Sequence, residues 1–380
     1  MWLYEQLNVD FVSGVILMSV VHGVLLACIF LFNDRLRSKS NKFLALAILG
    51  ICVILAYEFI YWFDLEDELP IWIEYFPVYV RSVIPIGLYF FVRFLVQPNL
   101  QISTFEKVGF VLIGLELLLD VSFIPVNIFI DDPEEIIICE YVLSVLGWLL
   151  SVLAALIYLP RAFLKVVRYQ RKLYDNYSTT SGKSLGWLRT FLLLVLFIMV
   201  FWITSFVQYV LGYWEACEVT FTIVTAGLVV MLFWLGYSII LKYSWFQIVP
   251  FSDTGDKIVK QSNKLSSKTD AYHQDLMDLL GEERLFEDPE LTLDRLSERL
   301  KISSGYLSQI INEKEGKNFF EFINTYRVEA VKDKLVDDSY HNYTIMGVAL
   351  ESGFKSKSTF NSVFKKFTGH TPSVFKRLHG

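Results

Sequence analysis

Residues 344–377 read TIMGVALESGFKSKSTFNSVFKKFTGHTPSVFKR, and this stretch decides how the C-terminal third of the chain folds. Ile345, Val348 and Ala349 recur at helical spacing, and Gly353 stands where a helix end needs positive φ. Ser356 is placed to cap a second helix. The apolar face of that helix contains Phe360, Val363, Phe364 and Phe367. Its other face is polar and carries Lys357, Ser358, Asn361, Ser362 and Lys365.

A short polar helix behind a Gly-Phe turn is the kind of element that DNA-binding proteins insert into a major groove. The order GF-x-S-x-S-x-F-x-x-x-F-K-K-x-x-G-x-T-P-x-x-F-x-R resembles the signature of the AraC/XylS family of bacterial transcription regulators. The resemblance implies an all-α domain with two helix-turn-helix units, which binds double-stranded promoter DNA and acts with RNA polymerase. The alternative is a small amphipathic helical bundle without a DNA partner.

A similar unit, the first of the two in chain order, precedes this stretch at LTLDRLSERLKISSGYLSQIINEKEG, residues 291–316. Leu293, Leu296 and Leu300 form its first apolar face, and Ser303 is placed to cap its second helix. The run NFFEFINTYR then resembles the linker helix of the family. We therefore expect a DNA-binding domain over 272–380, with helix-turn-helix units at 291–316 and 344–368 and a linker helix at 318–336.

By the same resemblance, two sets of side chains face DNA. The base-facing positions are Gly305, Ser308 and Gln309 in the first unit and Lys357, Ser358, Asn361 and Ser362 in the second. Glutamine and asparagine pair with adenine, and lysine pairs with guanine. The expected phosphate contacts, which orient the protein without reading sequence, are Lys355, Lys365, Lys366 and Arg377.

The two units differ in their suitability for DNA. Family members often have a large or basic residue where Gly305 and Ser308 stand, so we expect few base contacts from the first unit. Residues 351–380 contain six Lys/Arg and one Glu, whereas residues 284–350 contain nine Lys/Arg and twelve Asp/Glu. So weakly basic a domain should bind modestly and with strong salt dependence. A homodimer, or several copies on neighbouring sites, would raise the effective affinity.

The rest of the chain has the composition of a membrane protein. Of its 380 residues, 54% are hydrophobic, and the mean hydropathy is +0.45. Residues 1–250 contain 15 Lys/Arg and 20 Asp/Glu, against 19 and 20 in the much shorter stretch 251–380. We predict seven membrane spans, at 11–32, 43–63, 75–96, 108–130, 140–160, 190–214 and 219–241. No Lys or Arg precedes the first span, so a cleaved signal peptide is not expected.

The charges between the spans predict the topology. The stretches 33–42 and 161–189 are rich in Lys and Arg, whereas the alternate stretches carry Asp and Glu without Lys or Arg. The positive-inside rule then places the N-terminus outside and the C-terminal region in the cytoplasm. We expect a membrane domain over 1–242 in the bacterial cytoplasmic membrane, then a cytoplasmic linker over 243–271.

Ionisable residues within spans need a reason. Glu58, Arg81, Asp120 and His22 either line a ligand pocket open to the outside or form structural pairs and polar contacts within the bundle. Cys139 and Cys217 fall at the outer edge, where an oxidising exterior permits a disulfide. The sequence has neither a metal-ligand spacing nor a catalytic constellation, so we expect no metal, no cofactor and no enzymatic activity.

These observations predict a membrane-embedded one-component sensor. Its membrane domain would detect an unidentified signal, and its cytoplasmic domain would bind promoter DNA. The alternative is a transporter or membrane enzyme with an appended regulatory DNA-binding domain. A third hypothesis is that proteolysis in the linker releases the DNA-binding domain.

Overall fold

The computed structural model describes residues 2–34, 36–62, 80–99, 101–123, 125–126, 130, 132–180, 185–241 and 269–379. Within these ranges the fold is all-α, as predicted. The fourteen α-helices described are α1 (Trp2–Phe32), α2 (Lys39–Trp62), α3 (Val83–Val96), α4 (Thr104–Val121), α5 (Pro133–Asn176), α6 (Gly186–Val210), α7 (Trp214–Leu241), α8 (Thr269–Glu282), α9 (Leu293–Leu300), α10 (Ser304–Glu315), α11 (Phe319–Val336), α12 (Ile345–Glu351), α13 (Lys357–Thr368) and α14 (Pro372–His379).

The chain divides into two compact units that are not contiguous in sequence. The first, which we call the N-terminal unit, comprises residues 1–167 and 185–250. The second, which we call the C-terminal unit, comprises residues 168–184 and 251–380. A short segment from the N-terminal half therefore belongs to the same unit as the C-terminal helices. The predicted linker 243–271 lies outside the described residues except for its last three.

Helices α1 to α7 stand at the positions of the seven predicted spans. Five of them, namely α1, α2, α5, α6 and α7, are long and apolar enough to cross a membrane. The shorter α3 has 14 residues and is also apolar, while α4 carries four charged residues in 18. Parts of the third and fourth predicted spans, at 75–79, 124 and 127–129, lie outside the described residues.

The seven helices are apolar on both their inner and their outer surfaces. Helix α3 is the most buried, with Leu88 to Val92 almost fully shielded, and it packs beside α2. Large apolar side chains are exposed on the other helices, for example Met18 on α1 and Phe197 on α6. An apolar exterior of this extent suits helices surrounded by lipid rather than water.

Helix α5 is longer than the sequence predicted. Its 44 residues continue to Asn176, beyond the predicted span 140–160, so the first half of the Lys/Arg-rich stretch 161–189 is helical. At 1.5 Å per residue this helix is about 66 Å long, roughly twice the thickness of a hydrocarbon core. Lysine and arginine, which mark a cytoplasmic segment in the topology prediction, are also good helix formers.

The C-terminal unit has two hydrophobic cores that share helix α11. The first core joins Leu276, Leu296, Leu307 and Ile311 to Phe322 of α11. The second core joins Val348, Phe354, Phe360 and Phe364 to Val331 of α11. One helix thus contributes a different face to each helix-turn-helix unit, which is the role predicted for the linker helix.

Candidate DNA interface

The first helix-turn-helix unit is formed by α9 and α10. Thr292 caps α9, and its Oγ1 accepts a hydrogen bond from the Arg295 amide at 3.2 Å. The turn passes through Lys301 in the left-handed region, with φ of 55°. Ser303 then caps α10 by accepting from the Tyr306 amide at 3.3 Å, which confirms the predicted cap.

The second unit is formed by α12 and α13. Thr344 caps α12 through the Gly347 amide at 3.0 Å, and Ser356 caps α13 through the Thr359 amide at 3.3 Å. Gly353 lies in the turn with φ of +90°, as its position in the sequence predicted. Phe354 follows it and is buried in the second core. These local features fix the angle at which α13 leaves the turn.

Helix α13 has the two faces that its sequence predicted. Phe360, Val363 and Phe364 are buried against the second core. The base-facing candidates Lys357, Ser358, Asn361 and Ser362 are all exposed on the opposite face. Their amine, hydroxyl and amide groups are the donors and acceptors that major-groove base edges pair with.

Helix α10 offers less to a groove. Gly305 and Gln309 are exposed, and Ser308 is half-buried. Gln309 Nε2 donates to Glu313 Oε1 at 2.6 Å, and Asn312 Nδ2 donates to the Ser308 carbonyl at 2.8 Å. The side-chain amides of Gln309 and Asn312 are therefore already hydrogen-bonded to residues one turn away.

The four phosphate candidates are exposed, but two of them form ion pairs. Lys355 pairs with Glu290, and Lys366 Nζ lies 2.6 Å from Glu321 Oε1. Lys365 lies on α13 and Arg377 lies near the end of α14. Phosphate contacts by Lys355 and Lys366 would have to replace these ion pairs, which at the surface contribute little to stability.

Arg327 of α11 is a central polar residue that sequence analysis missed. It is only 1% exposed, and its guanidinium makes five hydrogen bonds to the neutral oxygens of four residues. Burial lowers the pKa of Arg327 to about 10, so it remains charged at neutral pH. The available signal was one arginine among the apolar residues of the linker helix, at the end of the run NFFEFINTYR.

Of the ionisable candidates in the N-terminal unit, Asp120 contacts the backbone just before α3. Asp120 Oδ2 accepts from the Val80 amide at 3.2 Å. Glu116 accepts from the amides of Arg81 and Ser82 at 3.0 and 2.9 Å. Carboxylates beside a helix N-terminus are stabilised by the helix dipole, so this arrangement favours the structural alternative for Asp120.

Arg81 also borders a cavity. Its guanidinium carbon lies 5.5 Å from the ring centre of Trp148. The cavity has a volume of about 60 Å³, and its other lining residues, which include Pro85, Trp202 and Phe221, are apolar. Of the remaining candidates, the ring of His22 stacks on Phe233 at 5.0 Å, and Glu58 is half-buried on α2.

A buried ion pair of the N-terminal unit was not predicted from the sequence. Arg93 Nε lies 3.2 Å from Glu106 Oε1, and Tyr89 donates to the same oxygen at 2.7 Å. The other carboxylate oxygen of Glu106 closes a capping box with Ser103 at the start of α4. This cluster joins α3 to α4, and its full hydrogen bonding offsets the cost of burying the charges.

The cysteines are free thiols in the structure. Cys217 is buried, and its Sγ donates to the Ser205 carbonyl at 3.4 Å. Cys139 is half-buried. The structure therefore gives no support to a disulfide between them.

Comparison with known proteins identifies the C-terminal domain. A family model described as a helix-turn-helix domain matches residues 296–378. Uncharacterized HTH-type transcriptional regulators of Staphylococcus aureus are 38% identical over 87 residues, which is 23% of this chain and 11% of theirs. The melibiose operon regulatory protein of Escherichia coli is 26% identical over 116 residues, which is 30% of this chain and 36% of that protein.

The structural comparison covers a similar length. A solved structure of a protein of unknown function from Listeria innocua aligns with 28% of this chain and 97% of its own, at 27% identity and a TM-score of 0.26. The chain covers only 11% of the length of the Staphylococcus aureus relatives. Residues 296–378 are an AraC-type helix-turn-helix domain, of the kind with which transcriptional regulators bind double-stranded DNA.

Proposed function

We propose that this protein is a membrane-embedded transcription regulator, which detects a signal at or within the bilayer and binds promoter DNA at the cytoplasmic face. The observation that carries the proposal is one chain with both an AraC-type domain and five helices apolar enough to cross a membrane. Helices α3 and α4 complete the proposed seven-span bundle. Arg81, Asp120, Glu58 and His22 are the proposed residues of signal detection, and among them Arg81 borders a cavity.

The proposed DNA contacts follow the exposure of the candidate side chains. Helix α13 enters a major groove and reads bases with Lys357, Ser358, Asn361 and Ser362. Lys355, Lys365, Lys366 and Arg377 bind phosphates. Helix α10 enters the adjacent groove, about 34 Å away along the duplex, and contributes through Gly305, Ser308 and Gln309.

Chromatin immunoprecipitation of the full-length tagged protein tests this proposal. We expect discrete promoter peaks, and we expect them to disappear in a Lys357→Ala/Asn361→Ala variant. The matched control is Lys332→Ala/Asn176→Ala, which removes the same side-chain types away from α13. Peaks that survive in the α13 variant would contradict the proposed base contacts.

Two further measurements test the membrane part of the proposal. The full-length protein should sediment with membranes and resist extraction by carbonate, and an immunoblot should show it intact while the promoters respond. A released C-terminal fragment would contradict DNA binding from the membrane. Solute uptake that persists after deletion of residues 251–380 would favour the transporter alternative.

A further inference from the structure

The segment that follows α5 lies against the DNA-binding helices of its own unit. Tyr177 forms an isolated antiparallel bridge with Thr292, the residue that caps α9. The Ser178 amide donates to the Leu291 carbonyl at 3.3 Å, and Ser178 Oγ donates to the same carbonyl at 2.6 Å. Ser178, Thr179 and Thr180 are all buried. We call residues 177–180 the docking segment.

The docking segment supplies most of the hydrogen-bond acceptors of Arg327. Arg327 Nη1 donates to the Ser178 carbonyl at 3.0 Å and to Thr179 Oγ1 at 3.2 Å, and Nη2 donates to Ser178 Oγ at 2.9 Å. Asn324 Nδ2 adds a bond to the Ser178 carbonyl at 3.2 Å. A buried guanidinium without acceptors is costly, so the segment is needed for this site to remain closed.

Arg327 is also the point where the two helix-turn-helix units meet. Its Nε donates to the Phe286 carbonyl at 2.7 Å, and its Nη2 donates to the Asp288 carbonyl at 2.8 Å, both just before α9. In the other unit, a Cβ atom at Gly353 would lie 2.8 Å from Arg327 Nε. The docking segment thus closes the junction whose geometry sets the orientation of α10 relative to α13.

Resting on the proposed function, we propose that the docking segment controls DNA affinity. When docked, it holds the two units in the orientation that binds two successive grooves. When it leaves, Arg327 loses three of its five hydrogen bonds and the junction loosens. Preorganised binding surfaces bind more tightly because they lose less conformational freedom on binding. Docking therefore raises affinity, and release lowers it.

Helix α5 is the element that connects this switch to the rest of the chain. It ends at Asn176, directly before the docking segment. Its residues 133–167 belong to the N-terminal unit, and its residues 168–176 belong to the C-terminal unit. A shift or rotation of its apolar part would act directly on Tyr177 and Ser178. The signal would then reach the DNA-binding helices through α5, in addition to any route through residues 242–268.

The first test removes the side-chain contacts of the segment in the full-length protein, held in lipid nanodiscs. The probe is a promoter fragment recovered by immunoprecipitation. We expect Ser178→Ala/Thr179→Val to bind this DNA at least tenfold more weakly. The control Asn176→Ala, whose side chain bonds to Lys172 of its own helix, should bind like the wild type. Unchanged or tighter binding by Ser178→Ala/Thr179→Val would overturn the proposal.

The second test locks the segment in place. Residues paired across an antiparallel bridge have Cα atoms about 4.5–5.5 Å apart, within the range that a disulfide spans. We therefore expect Tyr177→Cys/Thr292→Cys to form a disulfide when the native cysteines are replaced by alanine. The oxidised form should restore tight DNA binding to Ser178→Ala/Thr179→Val, and reduction should abolish the restoration. Oxidised protein that stays weak would overturn the proposal, and Thr292→Cys alone controls for the lost helix cap.

The two proposals fail in different ways. If only the docking proposal is wrong, wild-type protein binds promoter DNA and the docking variants bind it equally well. If the proposed function is wrong, wild-type protein binds no promoter, and the docking proposal is overturned with it. Lys357→Ala/Asn361→Ala should lose DNA binding while the 177–292 disulfide still forms, which separates contact with DNA from docking.

Discussion

The two helix-turn-helix units have the same sequence of elements but different surfaces. In the first unit, Lys301 takes the left-handed turn position, and Gln309 is bonded to Glu313. In the second, Gly353 takes that position and α13 exposes Lys357 and Asn361. The first unit also receives the docking segment beside Thr292. We therefore propose that one repeated fold is a regulated support in one copy and a base-reading element in the other.

Gly353→Val should have the largest effect on this comparison. Its φ of +90° is strained for valine, and a Cβ atom would lie 2.4 Å from the Phe286 carbonyl oxygen. We expect a loss of at least about 3 kcal/mol in the stability of the second unit, measured by hydrogen exchange of its amides. Gly305→Ala is the counterpart in the first unit. No atom of the described residues lies within 4 Å of its Cβ position, so it should stabilise α10 by up to about 1 kcal/mol. Equal protection in both variants would contradict the assigned role of Gly353.

The next largest effect should come from the recognition helices. Lys357→Ala/Asn361→Ala should weaken DNA binding by about tenfold or more per residue, because each base contact contributes roughly 1–3 kcal/mol. Ser308→Ala/Gln309→Ala should weaken it less, by about threefold or under, because Gln309 already bonds to Glu313. Fluorescence anisotropy at one salt concentration measures both. A comparable loss in the first unit would show that both helices read bases.

Removing the acidic partners of Lys355 and Lys366 should have a smaller effect, and it should strengthen DNA binding instead of weakening it. Glu290→Gln and Glu321→Gln release Lys355 and Lys366 for phosphates. We expect binding about two- to fivefold tighter at low salt, with the difference vanishing at high salt. Glu329→Gln removes the same charge beside Lys332, which is not a phosphate candidate, and serves as the control. An equal gain in the control would mean that net charge alone explains the result.

The smallest effect concerns the ionic link between the two units. Burial alone would raise the pKa of Glu287, but hydrogen bonds from Arg284 and Lys334 outweigh it and hold the pKa below its ordinary value of 4.5. Lys334 also donates to the Glu351 carbonyl of α12. Because the folded pKa is depressed, this stabilisation is present above pH 4.5 and is lost as the pH falls through the folded value. As the pH falls from 7 to 3, the contribution of Glu287 to the free energy of unfolding should fall by less than about 1 kcal/mol. Glu287→Gln should remove this dependence on pH.

Local features of both helix-turn-helix units could be predicted from the sequence. The caps at Ser303 and Ser356, the positive φ of Gly353 and the two faces of α13 depend on residues within one or two turns of each other. The hydropathy pattern likewise located the apolar helices. The seven-span count stays a prediction, because α3 is short, α4 is rich in charge and residues 63–79 lie outside the described part.

The junction at Arg327 could not be predicted in the same way. Its partner Ser178 is 149 residues away in the chain, and neither residue belongs to a pattern that requires the other. The ion pairs of Lys355 and Lys366 span 65 and 45 residues. Such contacts depend on how distant helices pack, and the sequence around each residue does not encode its partner. The extension of α5 to Asn176 was not predicted, because hydropathy marks only the apolar span 140–160 and the helical residues after it are largely charged or polar.

The hydrogen bond between Ser178 and Arg327 also restricts how many times the chain between them can cross the membrane. Two residues in direct contact lie on the same side of a bilayer, so the chain between them crosses it an even number of times. Helices α6 and α7 are the apolar helices described in that interval. If α6 crosses the membrane, α7 must cross back. They would insert as a hairpin before Arg327 contacts Ser178. The C-terminal unit would then complete this contact only if the two helices had inserted correctly.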